Sequence, residues 1–337
     1  MDNKEKKHNS NIREIPITQI EGICIGQTEN LEAGTGCTVA VCKEGMRAGL
    51  DIRGGGPASR DSQLLNPLMT AQEIHAVVLS GGSAFGLGAA GGVMDYLEAR
   101  DIGYDVGITK VPLVAQSDIF DLTVGDPSVR PGPEMGKEAA RLALEAPNYR
   151  DGNYGAGCGA TVGKLGGMET CMKTGIGSCA LQVGELQIGA IVALNALGDV
   201  FDWKTGRKVA GLLSEDKRSF RSTTELMMKT LDVVDNKFTG NTTLGLVMTN
   251  ASFTKTQLCK IAGMAHDGFA RSIRPVHTSA DGDSIYAVST AKIEADMDLT
   301  GTLAAEVVSE AILRAVSSAE SAYGFPSARD LDFSAMK

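Results

Sequence analysis

The chain has 337 residues, 43% of them hydrophobic, which is enough for a substantial core in one large α/β fold. With 41 Gly, 10 Pro and no G-X-Y period, collagen is excluded, and disorder is expected only at the ends. A net charge of −9 without a concentrated Lys/Arg run speaks against a nucleic-acid surface. Apolar stretches as short as 188–197 speak against a membrane span.

The opening MDNKEKKHNS lacks an apolar h-region, so no signal peptide is expected and the cytoplasm is the expected compartment. Residues 1–12 read as a flexible polar tail. Residues 13–60 mix short apolar runs with Gly-rich turns such as R-G-G-G-P at 53–57. E-I-H-A-V-V-L at 73–79 is a buried-strand pattern, followed by an S-G-G-S turn and a small-residue helix over about 84–98. A second helix is expected at 134–144. Residues 174–183 and 187–197 read as a hairpin around Gly184 and Glu185.

Residues 204–240 are polar, of mixed charge and weak periodicity, and suit a linker. At Thr242 the pattern changes abruptly to T-L-G-L-V-M-T-N, a strand buried on both faces. A helix capped by Thr254 then spans 254–271, a strand 284–290 and a helix 299–323. Strands and helices alternate throughout, so the class is α/β.

Seven Cys without a C-x-x-C and four His without an H-x-x-x-H give no metal-ligand spacing. Reduced, mostly buried thiols are expected, and neither a metal nor an organic cofactor. Gly86, Gly88 and Gly91 do spell G-x-G-x-x-G after a strand, with Asp105 at a ribose-binding distance. This makes an NAD-dependent oxidoreductase the alternative. Its register is poor: the first glycine belongs in the strand-to-helix turn, and Gly81 and Gly82 already make that turn. Inside a helix, small residues more simply permit close packing.

A different chemistry begins at G-N-T-T-L, residues 240–244. Threonine is a poor nucleophile without a base. Breaking the bond between Asn241 and Thr242 would free an α-amine with a pKa of about 7.7–8.0, placing nucleophile and base on one residue. An isolated N-T-T is more simply a turn before a strand. The longer pattern carries the case: G-N-T-T-L-G-L-V-M-T-N-A, then M-A-H-D-G-F-A-R-S-I-R-P-V-H-T, then D-G-D. Upstream stand L-S-G-G-S-A-F-G-L at 79–87, Asp121 in I-F-D-L, and G-A-T-V-G-K at 159–164.

Together these motifs resemble the L-aminopeptidase/D-esterase family, which includes the β-peptidyl aminopeptidases and the nylon-oligomer hydrolase. The resemblance covers nearly the whole chain beyond the first dozen residues. It implies a four-layer αββα sandwich like that of N-terminal-nucleophile hydrolases, with different connectivity. It also implies a precursor that cleaves itself into an α subunit, 13–241, and a β subunit, 242–337, assembled as a tetramer of αβ units.

By the same resemblance Thr242 is the nucleophile, Asp281 and Asp283 support it, and Lys164 and Asn195 complete the site. The substrate would be a small peptide or a linear amide. Acyl transfer to an amine would use the same threonine. Where the family often has Tyr, this chain has Phe120 and no phenol.

The residue types permit these roles without requiring them. Two aspartates two apart would share a strand face and could hold a hydroxyl or ammonium group, although D-G-D also suits an exposed turn. The Asn195 amide could donate to an oxyanion or cap a strand end. Lys164 could bond the nucleophile or lie on the surface. His266 and His277 lack a G-x-S-x-G elbow for a triad and read as structural.

Overall fold

The computed structural model describes residues 12–229 and 240–331. Ten strands form one hydrogen-bonded network: β1 (Ile12–Glu14), β2 (Cys24–Asn30), β3 (Thr35–Ile52), β4 (Ala58–Arg60), β5 (Glu73–Ser80), β6 (Val114–Asp118), β7 (Ile176–Val183), β8 (Leu186–Ala193), β9 (Leu244–Ala251) and β10 (Ser284–Ile293). Their order is β1-β7-β8-β9-β10-β3-β5-β6-β4, with β2 also on β3. The 18-residue β3 shifts register between Val41 and Met46. Its residues 47–52 pair with β10, and 37–41 pair with β5. One long strand therefore belongs to two sheets.

Side chains alternate across a strand, and that rule sorts the apolar residues into three cores. Ala40, Val77 and Ala115 of one sheet meet Ile191, Leu246, Met248 and Tyr286 of the other. The opposite face of the second sheet, with Val192, Val247, Ile285 and Ala287, packs on α3 (Lys255–Ser272) and α4 (Met297–Ser317). The opposite face of the first, with Val39, Val78 and Val114, packs on α1 (Ala89–Glu98) and α2 (Pro133–Glu145). The layers run helix, sheet, sheet, helix, which is the expected αββα sandwich. Each large apolar side chain buried this way stabilises the fold by roughly 1.5–3 kcal/mol.

The hairpin expected around Gly184 and Glu185 is β7–β8, with Gly184 at φ +61°. Thr254 caps α3 in a full capping box with Gln257. All seven cysteines are unpaired, five of them buried. Among the described residues no helix is long and apolar enough to cross a membrane.

Several boundaries differ from expectation: the strand expected over 174–183 begins at Ile176, the one expected over 187–197 ends at Ala193, and the one expected over 284–290 runs on to Ile293. The segment expected to be helical from 84 starts as a 3-10 turn, Ser83–Gly88, and α1 begins only at Ala89. Gly86 and Gly88 thus lie in that turn and Gly91 in the helix, so no glycine of the motif forms the strand-to-helix turn at Gly81 and Gly82. Small residues serve packing nearby: a Cβ on Gly92 would lie 1.7 Å from the carbonyl oxygen of Pro133 at the start of α2.

The last helix stops at Ser317 rather than 323, where three serines within five residues compete with the backbone and Gly324 and Pro326 follow. Residues 204–229 are not a linker: Lys208–Ala210 pairs with Asp199–Phe201, and Thr223–Lys229 is helical. The remainder of the expected linker, 230–239, and of the expected tail, 1–11, lies outside the described residues, while Ile12 is already in β1.

Register fixes where the important residues meet. Strand β9 runs antiparallel to β8 with Leu244 opposite Ala193, and parallel to β10 with Leu244 opposite Ser284. The end of β8 and the starts of β9 and β10 therefore lie side by side. Asn195, Thr242 and Asp283 stand within two residues of those three ends.

Candidate active site

Thr242 is only 4% exposed. Its backbone N–H donates to the Asn195 carbonyl at 2.8 Å. Its Oγ1 donates to the carbonyl oxygen of Asn241, the residue it follows. A second donor reaches the same oxygen: the N–H of Gly282 at 3.2 Å. The peptide bond between Asn241 and Thr242 is thus flanked by a hydroxyl and by a polarising N–H. Gly282 is required by space, because a Cβ there would lie 2.5 Å from Thr242 Oγ1. The Asn241 side chain is buried with neither its oxygen nor its nitrogen hydrogen-bonded. Unmet groups of this kind cost about 1–3 kcal/mol each.

Lys164 is buried, in a short 3-10 turn that follows Gly163 at φ +76°. Its Nζ donates to Asn195 Oδ1 at 2.6 Å and to the Gly240 carbonyl at 2.8 Å. Burial pulls its pKa down to about 8, opposed by the charges of Cys171, Asp281 and Asp121. Asn195 also accepts from Thr161 N–H at 3.1 Å, and its Nδ2 donates to the carbonyls of Phe120 at 3.0 Å and Gly240 at 3.4 Å. The expected amide donor therefore faces the carbonyl one residue before the scissile one.

Asp281 and Asp283 are 2% and 1% exposed, so D-G-D is no exposed turn. Nor does it lie on a strand, as expected for a shared face: it is a loop that ends at Ser284, where β10 begins. The two carboxylates consequently diverge. Asp281 Oδ2 accepts from Thr278, through the backbone N–H at 2.8 Å and the hydroxyl at 2.6 Å. Asp283 Oδ1 accepts the N–H of Thr243 at 2.8 Å, and its Oδ2 faces His277. Burial, then the neighbouring Asp283 charge, raises the Asp281 pKa to about 6.

Asp121 anchors the upstream motif. Its Oδ1 accepts the Gly82 N–H at 2.7 Å and its Oδ2 the Thr35 hydroxyl at 2.7 Å. Two contacts escaped the sequence. Gly282 was hidden between two more conspicuous aspartates, and the signal for it was a residue without Cβ inside D-G-D. His277 lies on Asp283, six positions away, and only a closed loop brings them together.

Residues 16–329 match the family described as peptidase family S58. The chain is 35% identical to an uncharacterized aminopeptidase of Mycobacterium leprae over 339 residues, 92% of each chain. It is 29% identical to a 6-aminohexanoate-oligomer endohydrolase of Paenarthrobacter ureafaciens, over 90% of this chain and 86% of that one. An L-aminopeptidase D-Ala-esterase/amidase from Ochrobactrum anthropi, described as a variant of the Ntn hydrolase fold, superposes with a TM-score of 0.68 at 16% identity, over 95% of this chain and 91% of that one. A β-aminopeptidase from Burkholderia superposes with a TM-score of 0.61 at 19% identity, covering 93% and 87%.

Proposed function

The chain belongs to peptidase family S58 and is a hydrolase of amide bonds, and from that premise we propose that it is made as a precursor in which Thr242 cleaves the bond before itself. The observation that carries this is the hydrogen bond from Thr242 Oγ1 to the Asn241 carbonyl, with Gly282 N–H on the same oxygen. The hydroxyl oxygen attacks the Asn241 carbonyl carbon, and negative charge builds on an oxygen already held by Gly282. The carbon–nitrogen bond breaks, the nitrogen takes the proton, and an ester joins Asn241 to Thr242 Oγ1. Water opens the ester, leaving a carboxylate on Asn241 and a free amine on Thr242. Departure of Asn241 also relieves its unbonded side chain.

In turnover the same hydroxyl attacks an external amide carbonyl, and the Thr242 amine takes its proton and passes it to the leaving amine. Residues 240–241 occupy the place that an acyl group takes. Their departure frees Gly282 N–H to hold the reacting carbonyl oxygen of the substrate, and Asn195 Nδ2 to hold the acceptor next to it. Lys164 holds Asn195, while Asp283 holds the strand that bears Thr242. The substrate is a small peptide with a free N-terminus or a linear amide oligomer. That class follows the names of the relatives, an aminopeptidase and an oligomer endohydrolase. We place the working enzyme in the cytoplasm, as a tetramer of αβ units.

Variants at Thr242 test the scheme. Thr242→Ala folds, stays full-length and is inactive. Thr242→Ser keeps a hydroxyl and still processes. A β subunit made with one extra residue before Thr242, coexpressed with residues 1–241, assembles but hydrolyses amides poorly, because the Thr242 nitrogen is then an amide. Full activity there would assign the base to Lys164 or an aspartate.

A further inference from the structure

The geometry points to His277 as a positioning residue that acts on the nucleophile through Asp283. This rests on the function proposed for Thr242 and adds a residue to it. Two donors of His277 converge on one carboxylate oxygen: the backbone N–H at 3.0 Å and ring Nδ1 at 2.9 Å, both to Asp283 Oδ2. The other oxygen, Oδ1, is left to the N–H of Thr243 at 2.8 Å. The chain of contacts is therefore imidazole, carboxylate, then the amide adjoining the nucleophile.

The local backbone presents the ring to Asp283. His277 sits at φ +58°, a left-handed conformation uncommon outside glycine and one in which Asn, Asp and His are the enriched side chains. The ring is held from the far side by His266 on α3, edge-to-face with centroids 4.7 Å apart. His266 in turn has its Nε2 at 3.0 Å from the Asp51 carbonyl at the end of β3. Asp283 is fixed at its own backbone too, its carbonyl accepting from the N–H groups of Arg53 and Gly54. Its carboxylate cannot swing far, and the imidazole fixes which oxygen faces Thr243. Nε2 of His277 is buried without a partner, so the ring has one working nitrogen, Nδ1. The charged groups around this cluster are Asp281, Asp283, Asp51, Arg53 and, through Asp281, Lys164.

Asn and Phe separate hydrogen bonding from ring packing. The Asn side-chain NH2 can occupy the place of His Nδ1, and Asn accepts the left-handed backbone. Phe keeps the ring against His266 and loses the donor. His277→Gly, which relieves the backbone and removes the donor, serves if His277→Phe does not fold.

Precursor cleavage and kcat/KM are read for each, together with hydrogen exchange of the Thr243 amide. The expected result is that His277→Asn processes and turns over within about threefold of wild type. His277→Phe and His277→Gly fall about 10²-fold, in kcat rather than KM, as expected for misplacing a reacting group. The Thr243 amide exchanges at least tenfold faster in the Phe and Gly variants and not in the Asn variant. A Phe or Gly variant equal to wild type, or an Asn variant as slow as either, overturns the proposal. A wild-type chain that never cleaves would remove the proposed function instead, and the exchange of Thr243 would still decide the role of His277.

Discussion

Two lysines are buried close together, Lys164 in a 3-10 turn and Lys173 in a two-residue strand, and their contacts set them apart. Lys173 pairs in a two-residue ladder with Thr161, and Lys164 follows Thr161 by three residues. Burial depresses both, Lys173 to about 7 and Lys164 to about 8. Lys173 donates to the backbone carbonyls of Gly157 at 3.2 Å, Ala160 at 3.1 Å and Thr174. All three are fixed parts of the fold. Lys164 donates to the side chain of Asn195 and to the Gly240 carbonyl, two residues before Thr242. A shifted pKa alone marks a buried amine. Under the proposed cleavage the partners of Lys173 stay in place, whereas Gly240, a partner of Lys164, lies beside the bond that is cut.

Separate variants of the two lysines test this contrast. Lys164→Met should fold and lose processing and turnover by about 10²–10⁴-fold, the range for a lost positioning or acid–base group. Gel analysis of the precursor and kcat/KM of any cleaved fraction would show it. Near-normal rates would return Lys164 to the class of Lys173.

Lys173→Met should act on stability, with turnover of the folded protein within about threefold of wild type. Its pH dependence has a definite sign. The folded pKa lies below the unfolded value, so the contribution of Lys173 is full above about 10.5 and is lost as pH falls toward 7. The stability of wild type relative to Lys173→Met should therefore decline by about 4 kcal/mol across that window, as read by chemical denaturation. A difference independent of pH would mean that the amine is hydrated in the folded state.

The smallest effect concerns Asp281, whose folded pKa is raised to about 6. The sign is again set by direction: its held proton favours the fold at low pH, and that contribution disappears as pH rises from about 4 through about 6. Wild type should lose about 1–3 kcal/mol relative to Asp281→Asn over that range. A flat difference would place the carboxylate in contact with water.

The sequence was most informative where periodicity is strict. Residues 73–79, 176–183 and 244–251 alternate or run apolar, and each is a strand, because burial on two sheet faces leaves few other solutions. The motif around Thr242 falls at the strand ends, where β8, β9 and β10 bring Asn195, Thr242 and Asp283 together. What escaped was set by loop closure. D-G-D reads as a turn or a strand, and nothing local reveals that Thr278 takes one carboxylate and His277 the other. The polar stretch from 204 looked like a linker because its short strand and helix carry few apolar residues, and their burial depends on distant partners such as Asp199, which accepts from Thr223.

Edman sequencing and intact-mass analysis of the purified wild-type protein, beside Thr242→Ala, test the central claim most directly. The account predicts two wild-type fragments, the smaller beginning T-T-L-G-L and matching residues 242–337, and a single uncut chain for Thr242→Ala. A wild-type chain that is fully active and uncut, or one cut at any other bond, would contradict it.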